Sequence, residues 1–328
     1  MTKIAIVGEG VVGCSTALAF LEKYPKLQIT LFSNKPFADT CSFGPGGLFR
    51  LDKYEARPWA RKSFERFAYL EKTYGHECGV KLLSGHIQSD NRELLEHQER
   101  NMADIVYNFR WLDDRERNSM FVNPSKYCIH YTAYASEGRT YTPWLKKQLQ
   151  GKGAEFVTKE FKNLDEVSSL GFEYVINCGG VKGGDLAGDD TEGVKPNRGV
   201  AIEVHAPWQK HFNYRDFSTF TIPMNNSVMM GTIRQDNCTD LTVTDADREA
   251  IWSRYVALDP KFKGAKVLSE WVSLRPERKT IRVEYQKRQN NGKDYHVVHN
   301  YGHGGNGFTL GWGCALSAIE LLEPHLTL

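Results

Sequence analysis

The sequence predicts an α/β protein of two interleaved domains, one discontinuous and built on a parallel sheet, the other α+β with an antiparallel sheet. Three observations carry this reading. The chain has 328 residues, and at about 150 residues per domain that is room for two. It opens with an apolar run, a glycine-rich turn, a helical pattern and a second apolar run. Between Val200 and Ile233 it shows alternating or β-branched runs with no helical pattern between them.

Residues 3–7 (KIAIV) are apolar and β-branched, a strand pattern. Residues 14–22 (CSTALAFLE) carry helix formers with apolar Ala17, Leu18 and Leu21. The second run, LQITLF over 27–32, completes a β-α-β unit. Phe64, Phe67, Tyr69 and Leu70 predict one amphipathic helix, and Leu94, Leu95, Met102, Ile105 and Val106 another. The run YVINC (174–178), followed by Gly179, Gly180, Gly183 and Gly184, reads as a buried strand returning to the first sheet. VAIEVHA, FSTFTIP and SVMMGTI predict antiparallel strands, and Thr244 with Asp247 caps a helix bearing Ile251, Trp252, Tyr255 and Leu258. Tyr295–His299 is a further strand, leading through Gly302–Gly307 into a helix with Trp312, Ala315, Leu316 and Ile319 on its apolar face. These elements assign 1–50, 140–190 and 270–328 to the first domain and 51–139 and 191–269 to the second.

Composition narrows the functional class. The chain has 42 Lys+Arg against 40 Asp+Glu, a formal charge of +2 and a mean hydropathy of −0.49. It has no block of like charge, which argues against nucleic acid and membrane surfaces and leaves a small polar or anionic metabolite as partner. Cys14, Cys41, Cys78, Cys128, Cys178, Cys238 and Cys314 are scattered without a C-x-x-C pair, so neither a zinc site nor a disulfide framework is expected. The N-terminus lacks a secretory pattern and the C-terminal residues are not the S-K-L tripeptide, so the expected location is the cytoplasm.

The residue pattern with the clearest chemistry is Gly8-Glu9-Gly10-Val11-Val12-Gly13. It is a G-x-G-x-x-G between a strand and a helix. Its glycines allow the tight turn, the approach of a pyrophosphate, and close packing of helix on strand, while the helix N-terminus offers unpaired N–H groups to anionic phosphates. Such a Rossmann-like unit usually places an acidic residue after the second strand to bond the ribose; here the chain reads Ser33-Asn34-Lys35, an uncharged acceptor beside a cation. The stretch Thr40–Leu48 (TCSFGPGGL) supplies hydroxyls and bare amides suited either to a surface loop or to a bound cofactor. His299–Thr309 (HNYGHGGNGFT) leads into the last helix, whose amides would stabilise negative charge, such as that of a reduced flavin if the cofactor is one; His299 and His303 themselves read as structural. Among the arginines, Arg275 lies before Pro276, Arg234 ends an apolar strand, and Arg215 follows Tyr214. A guanidinium held at a strand end is built for a bidentate grip on a carboxylate.

These residues, with Val175–Val181, Ala206–Phe212 and Leu274–Pro276, resemble the D-amino-acid oxidase family of flavoproteins over nearly the whole chain. The resemblance implies a discontinuous FAD-binding domain and a substrate domain. It places FAD against Gly8, Gly10, Gly13, Thr40, Ser42, Gly47, Leu48, Gly180, Gly305, Gly307 and Thr309, and Val11, Val12, Asn34, Lys35, Cys41, Gly46, Phe161, Cys178, Gly304 and Phe308 are expected to bind the cofactor as well. It gives Arg275 the α-carboxylate of the substrate and Arg234 the side-chain carboxylate, which puts the chain nearest the members that oxidise acidic D-amino acids. Arg215 matches a second arginine for acidic substrates after a short gap, Phe220 stands where the family has a tyrosine, and Gly305 and Asn306 adjoin the substrate.

The implied reaction is oxidation of D-aspartate, with D-glutamate and N-methyl-D-aspartate as further candidates, to a 2-oxo acid, ammonia and hydrogen peroxide, with oxygen as co-substrate. The family is often peroxisomal. A neutral D-amino-acid oxidase of the same family is the alternative that Arg234 decides. A nicotinamide-dependent dehydrogenase would share the first motif alone.

Overall fold

The computed structural model describes residues 2–327. The chain separates into a first unit of 1–43, 139–197 and 274–328 and a second unit of 44–138 and 198–273. The switch points read from the sequence were 50/51, 139/140, 190/191 and 269/270.

In chain order, β1 (Lys3–Val7), α1 (Val11–Lys23) and β2 (Gln28–Ser33) form the opening β-α-β. The chain then builds α2 (Arg57–Tyr74), β3 (Val80–Ser89), α3 (Arg92–Met102), β4 (Tyr107–Trp111), α4 (Asp114–Met120) and β5 (Tyr127–Ser136). After α5 (Gly138–Gly151) come β6 (Glu155–Thr158), α6 (Leu164–Ser168), β7 (Tyr174–Asn177) and α7 (Gly183–Ala187). Next are β8 (Lys195–His205), β9 (Phe212–Arg215), β10 (Thr219–Pro223), β11 (Val228–Asp236) and α8 (Asp245–Leu258). The chain closes with β12 (Lys266–Asn290), β13 (Lys293–His303) and α9 (Gly307–Leu322).

In the first unit the strand order is β12-β13-β7-β1-β2-β6. The β13–β7, β7–β1, β1–β2 and β2–β6 pairings are all parallel, and β12 is antiparallel to β13. The strands are short apolar runs buried on both faces: Ile4, Ala5 and Ile6 of β1 and Val175 and Ile176 of β7 are fully buried. Helix α9 lies against α1 at glycines: a methyl on Gly307 would stand 3.7 Å from Val11 Cγ1, and one on Gly311 3.8 Å from Val12 Cα.

In the second unit the order is β4-β5-β3-β9-β10-β11-β8-β12. The β4–β5, β5–β3, β9–β10 and β10–β11 pairings are antiparallel, while β3–β9 is parallel because the chain between them passes through the first unit. One sheet face packs Val200, Ile202, Val204, Val228 and Met230 on Ile251 and Tyr255 of α8. The capping box of α8 forms as its sequence indicates, with Thr244 Oγ1 accepting from Asp247 N. The stripe from Leu94 to Val106 is shorter than expected: α3 stops at Met102, and Ile105 and Val106 are buried in the turn beyond it. Arg57 and Arg61 draw that turn back by binding the Asp104 carboxylate.

Candidate functional site

The expected dinucleotide turn is present in the first unit and its glycines are sterically required. Gly8 has φ +114°, and a methyl there would overlap the Cys178 carbonyl oxygen at the end of β7. A methyl on Gly13 would overlap the Gly8 carbonyl oxygen. Strand β1, strand β7 and helix α1 therefore meet with backbone touching backbone, which only glycine permits. At Gly10 a methyl would stand 3.0 Å from Ser42 Oγ, and that hydroxyl accepts from Val11 N at 2.9 Å. The loop 40–42 is thus tied to the first turn of α1, while Thr40 Oγ1 donates to Phe37 O at 2.8 Å.

Two helix N-termini come together here. Gly10 caps α1 and Asn306 caps α9; neither cap residue bonds its helix through its own side chain, Ser42 Oγ meets only the first N–H of α1, and neither helix has an acidic residue in its first turn. Because Gly307 lies against Val11, the two positive helix ends are adjacent. The cradle fits FAD: it offers backbone N–H groups and no carboxylate to the pyrophosphate, at a turn too tight for any side chain but hydrogen. The buried Glu9 is occupied elsewhere, 3.1 Å from Lys146 Nζ.

The other expected cofactor positions of this unit differ in character. Gly180 has φ +57°, with open space where a side chain would be. Cys178 N donates to Val7 O at 2.8 Å and locks β7 to β1. The Phe161 ring is in the core, edge-on to Phe32 at 5.1 Å. Phe308 and Thr309 are buried in α9. Asn34 and Lys35 are exposed beyond β2. The Cys41 thiol is pushed up by burial, with the charges of Lys35 and Arg275 acting against it. Arg275 Nη1 donates to Asn197 Oδ1 at 2.8 Å. Two residues on, Glu277 pairs with His303, and its carboxylate stands where a side chain on Gly304 would be, so Gly304, Gly305 and Asn306 turn beside the strand that carries Arg275.

His299 has the structural role its sequence context indicates. It is fully buried, its Nδ1 is 3.2 Å from Asn177 Nδ2 and its Nε2 3.0 Å from Gln286 Oε1. Asn177 can only donate there, so the Nε2–H tautomer follows. Burial, and then the charges of Arg282 and Arg288, push this imidazole down to about 3.

In the second unit the glycines of 44–47 are explained by packing. A side chain on Gly44 would run into the Trp271 ring, one on Gly46 would stand 2.9 Å from Ile222 Cγ2, and one on Gly47 would overlap the Ser136 carbonyl oxygen. Leu48 then bridges to Ala135. Phe220 lies opposite Gly231, with its ring over that glycine, and stacks on Tyr214 at 5.1 Å and 24°. Arg215 Nη2 donates to Asn123 O at 2.7 Å. Arg234 is exposed at the end of β11, and among the described residues it has no hydrogen bond or ion pair.

Sequence reading did not find Asn197, Lys146 or Ser42's bond to Val11, since each joins segments far apart in the chain. No local pattern marks them.

Comparison with known proteins agrees with this geometry. The family model described as FAD dependent oxidoreductase matches residues 3–321. The chain is 54% identical to D-aspartate oxidase 1 of Caenorhabditis elegans over 327 residues, 99% of this chain and 98% of that protein. It is 33% identical to human D-aspartate oxidase, over 98% of this chain and 94% of that one. In fold it is similar to glycine oxidase from Bacillus cereus, with a TM-score of 0.79 at 17% identity over 100% and 96% of the two chains. It is also similar to an L-alpha-glycerophosphate oxidase from Mycoplasma pneumoniae with FAD bound, with a TM-score of 0.76 at 19% identity over 98% and 95%. With the glycine turn, the paired helix ends and a model match over nearly its full length, the chain belongs to the FAD-dependent oxidoreductase family of D-amino-acid oxidases, and its cofactor is FAD.

Proposed function

We propose that the chain is an FAD-dependent oxidase of acidic D-amino acids, with D-aspartate as its substrate. The observation that carries this is Arg234, a guanidinium exposed at a strand end with no partner of its own among the described residues. Whole-length identity to D-aspartate oxidases supports it. A second carboxylate is the group such a fork takes up with most gain.

In this reading Arg275 takes the α-carboxylate and Arg234 the β-carboxylate. Asn197 fixes one face of the Arg275 fork, so less rotamer freedom is lost on binding. With both carboxylates held, the Cα–H bond has one orientation, and orientation together with charge placement is the protein's main contribution. Arg215, partly engaged by Asn123, is the second candidate for the side-chain carboxylate. When bound, FAD supplies a two-electron acceptor that oxygen returns to its oxidised form with release of hydrogen peroxide. The imino acid left behind adds water and loses ammonia to give the 2-oxo acid.

The test is a peroxide assay of the purified yellow protein over D-aspartate, D-glutamate, N-methyl-D-aspartate, D-alanine and the L-enantiomers. Turnover of D-aspartate well above D-alanine, and none of L-aspartate, is expected. A preference for D-alanine would give the chain to the neutral branch of the family.

A further inference from the structure

We propose that Glu160 supplies the carboxylate that binds the ribose hydroxyls of the FAD adenosine, a task the end of β2 cannot perform in this chain. The proposal rests on the FAD assignment and not on the choice of substrate. In a β-α-β nucleotide fold the residue after the second strand meets the ribose, and an acid there accepts its hydroxyls. Here that residue is Asn34, whose amide has no charge, followed by the cation Lys35.

The topology brings an acid to the same place from another strand. Strand β6 runs parallel to β2, with Thr158 opposite Ser33, and Lys159 N donates to Ser33 O at 2.9 Å. That bond carries the register past the strand ends and sets Glu160 beside Asn34, whose Nδ2 donates to Glu160 Oε1 at 3.4 Å. Glu160 is exposed and has no ion pair among the described residues, so its other carboxylate oxygen is open. The neighbouring cation does not neutralise it, because Lys159 Nζ lies over the Phe161 ring, 5.5 Å from its centroid. An uncommitted carboxylate at the ribose-reading position accepts hydroxyl hydrogens in charge-assisted bonds, and Asn34 orients it.

The experiment measures the Kd of FAD, and of an FAD analogue with 2′-deoxyadenosine, by flavin fluorescence on dilution of the full-length holoprotein. Wild type is expected to hold FAD about 10-fold tighter than the deoxy analogue. Glu160→Gln is expected to weaken FAD by a similar factor and to erase that preference. Asn34→Asp in the Glu160→Gln background returns a carboxylate to the strand end and is expected to restore both. Equal FAD affinity in wild type and Glu160→Gln would overturn the proposal, and so would equal weakening of both ligands with the preference intact. A purified wild-type chain that holds no FAD would instead remove the cofactor assignment, and this proposal with it.

Discussion

Arg275 and Asn197 are 78 residues apart in the chain and joined by one hydrogen bond, Nη1 to Oδ1 at 2.8 Å. The strand that carries Arg275 also carries one of the four points where the chain passes between the two units, at Ser273/Leu274, and Asn197 stands at another, before Arg198. If Asn197 serves to hold the guanidinium ready, Asn197→Ala costs binding and not chemistry. Steady-state kinetics with D-aspartate should show KM raised about 3- to 10-fold and kcat within about 2-fold of wild type, equivalent to about 1 kcal/mol. A fall in kcat at unchanged KM would give Asn197 another role.

Glycines that look alike in the sequence differ in what surrounds them. Gly13→Ala puts a methyl into the Gly8 carbonyl, backbone that cannot yield, and should cost about 3 kcal/mol or more and release FAD. Gly151→Ala, at the end of α5 with open space around it, should be neutral or stabilise by up to about 1 kcal/mol. Thermal unfolding and the flavin absorbance of the purified variants check both.

A polar row crosses four strands of the second unit at one level: Arg110 opposite His130, His130 opposite His86, and His86 opposite Asn213. His86 Nε2 is 3.2 Å from His130 Nδ1, His211 approaches from the segment before β9, and Glu116 binds Arg110. Burial, then the charges of His130, His211 and Arg110, push His86 down from 6.5 to about 4. Its native form is neutral, so between pH 6.5 and about 4 the unfolded chain binds the extra proton and stability falls as pH falls. The share of His86 is about 3 kcal/mol at the lower end of that window. Carboxylates such as Asp189, held low by Arg282, lose their contribution only below the usual carboxylate range, so they do not mask it. Urea unfolding from pH 7 to 4.5 should show this slope together with the like contribution of buried His299, and His86→Gln should make it shallower by the His86 share without abolishing it; an unchanged slope would assign the acid sensitivity elsewhere.

The parts legible in the sequence were those written locally. The turn from Gly8 to Gly13 was readable because strand period, glycine spacing and helix period change within a dozen or so residues, and the backbone contact with Cys178 enforces the same glycines. The capping box of α8 was readable for the same reason. The stretch 40–48 was less so. Its composition suited a cofactor loop throughout, yet Ser42 binds helix α1 while Gly44, Gly46 and Gly47 are small to make room for Trp271, Ile222 and Ser136, all far away in the chain. The missing acid after β2 was visible as an absence. Glu160, its neighbour through the β2–β6 register, was not, because strand pairing cannot be read from either strand alone.

The exposed guanidinium of Arg234 is what chooses a substrate with two carboxylates in the proposed reaction. The most direct measurement is kcat/KM for D-aspartate and D-alanine in wild type and Arg234→Leu. Losing a charged partner is worth about 2 to 4 kcal/mol, so D-aspartate should fall roughly 30- to 1000-fold while D-alanine stays within about 3-fold. A variant that keeps the wild-type ratio of the two substrates would contradict the account.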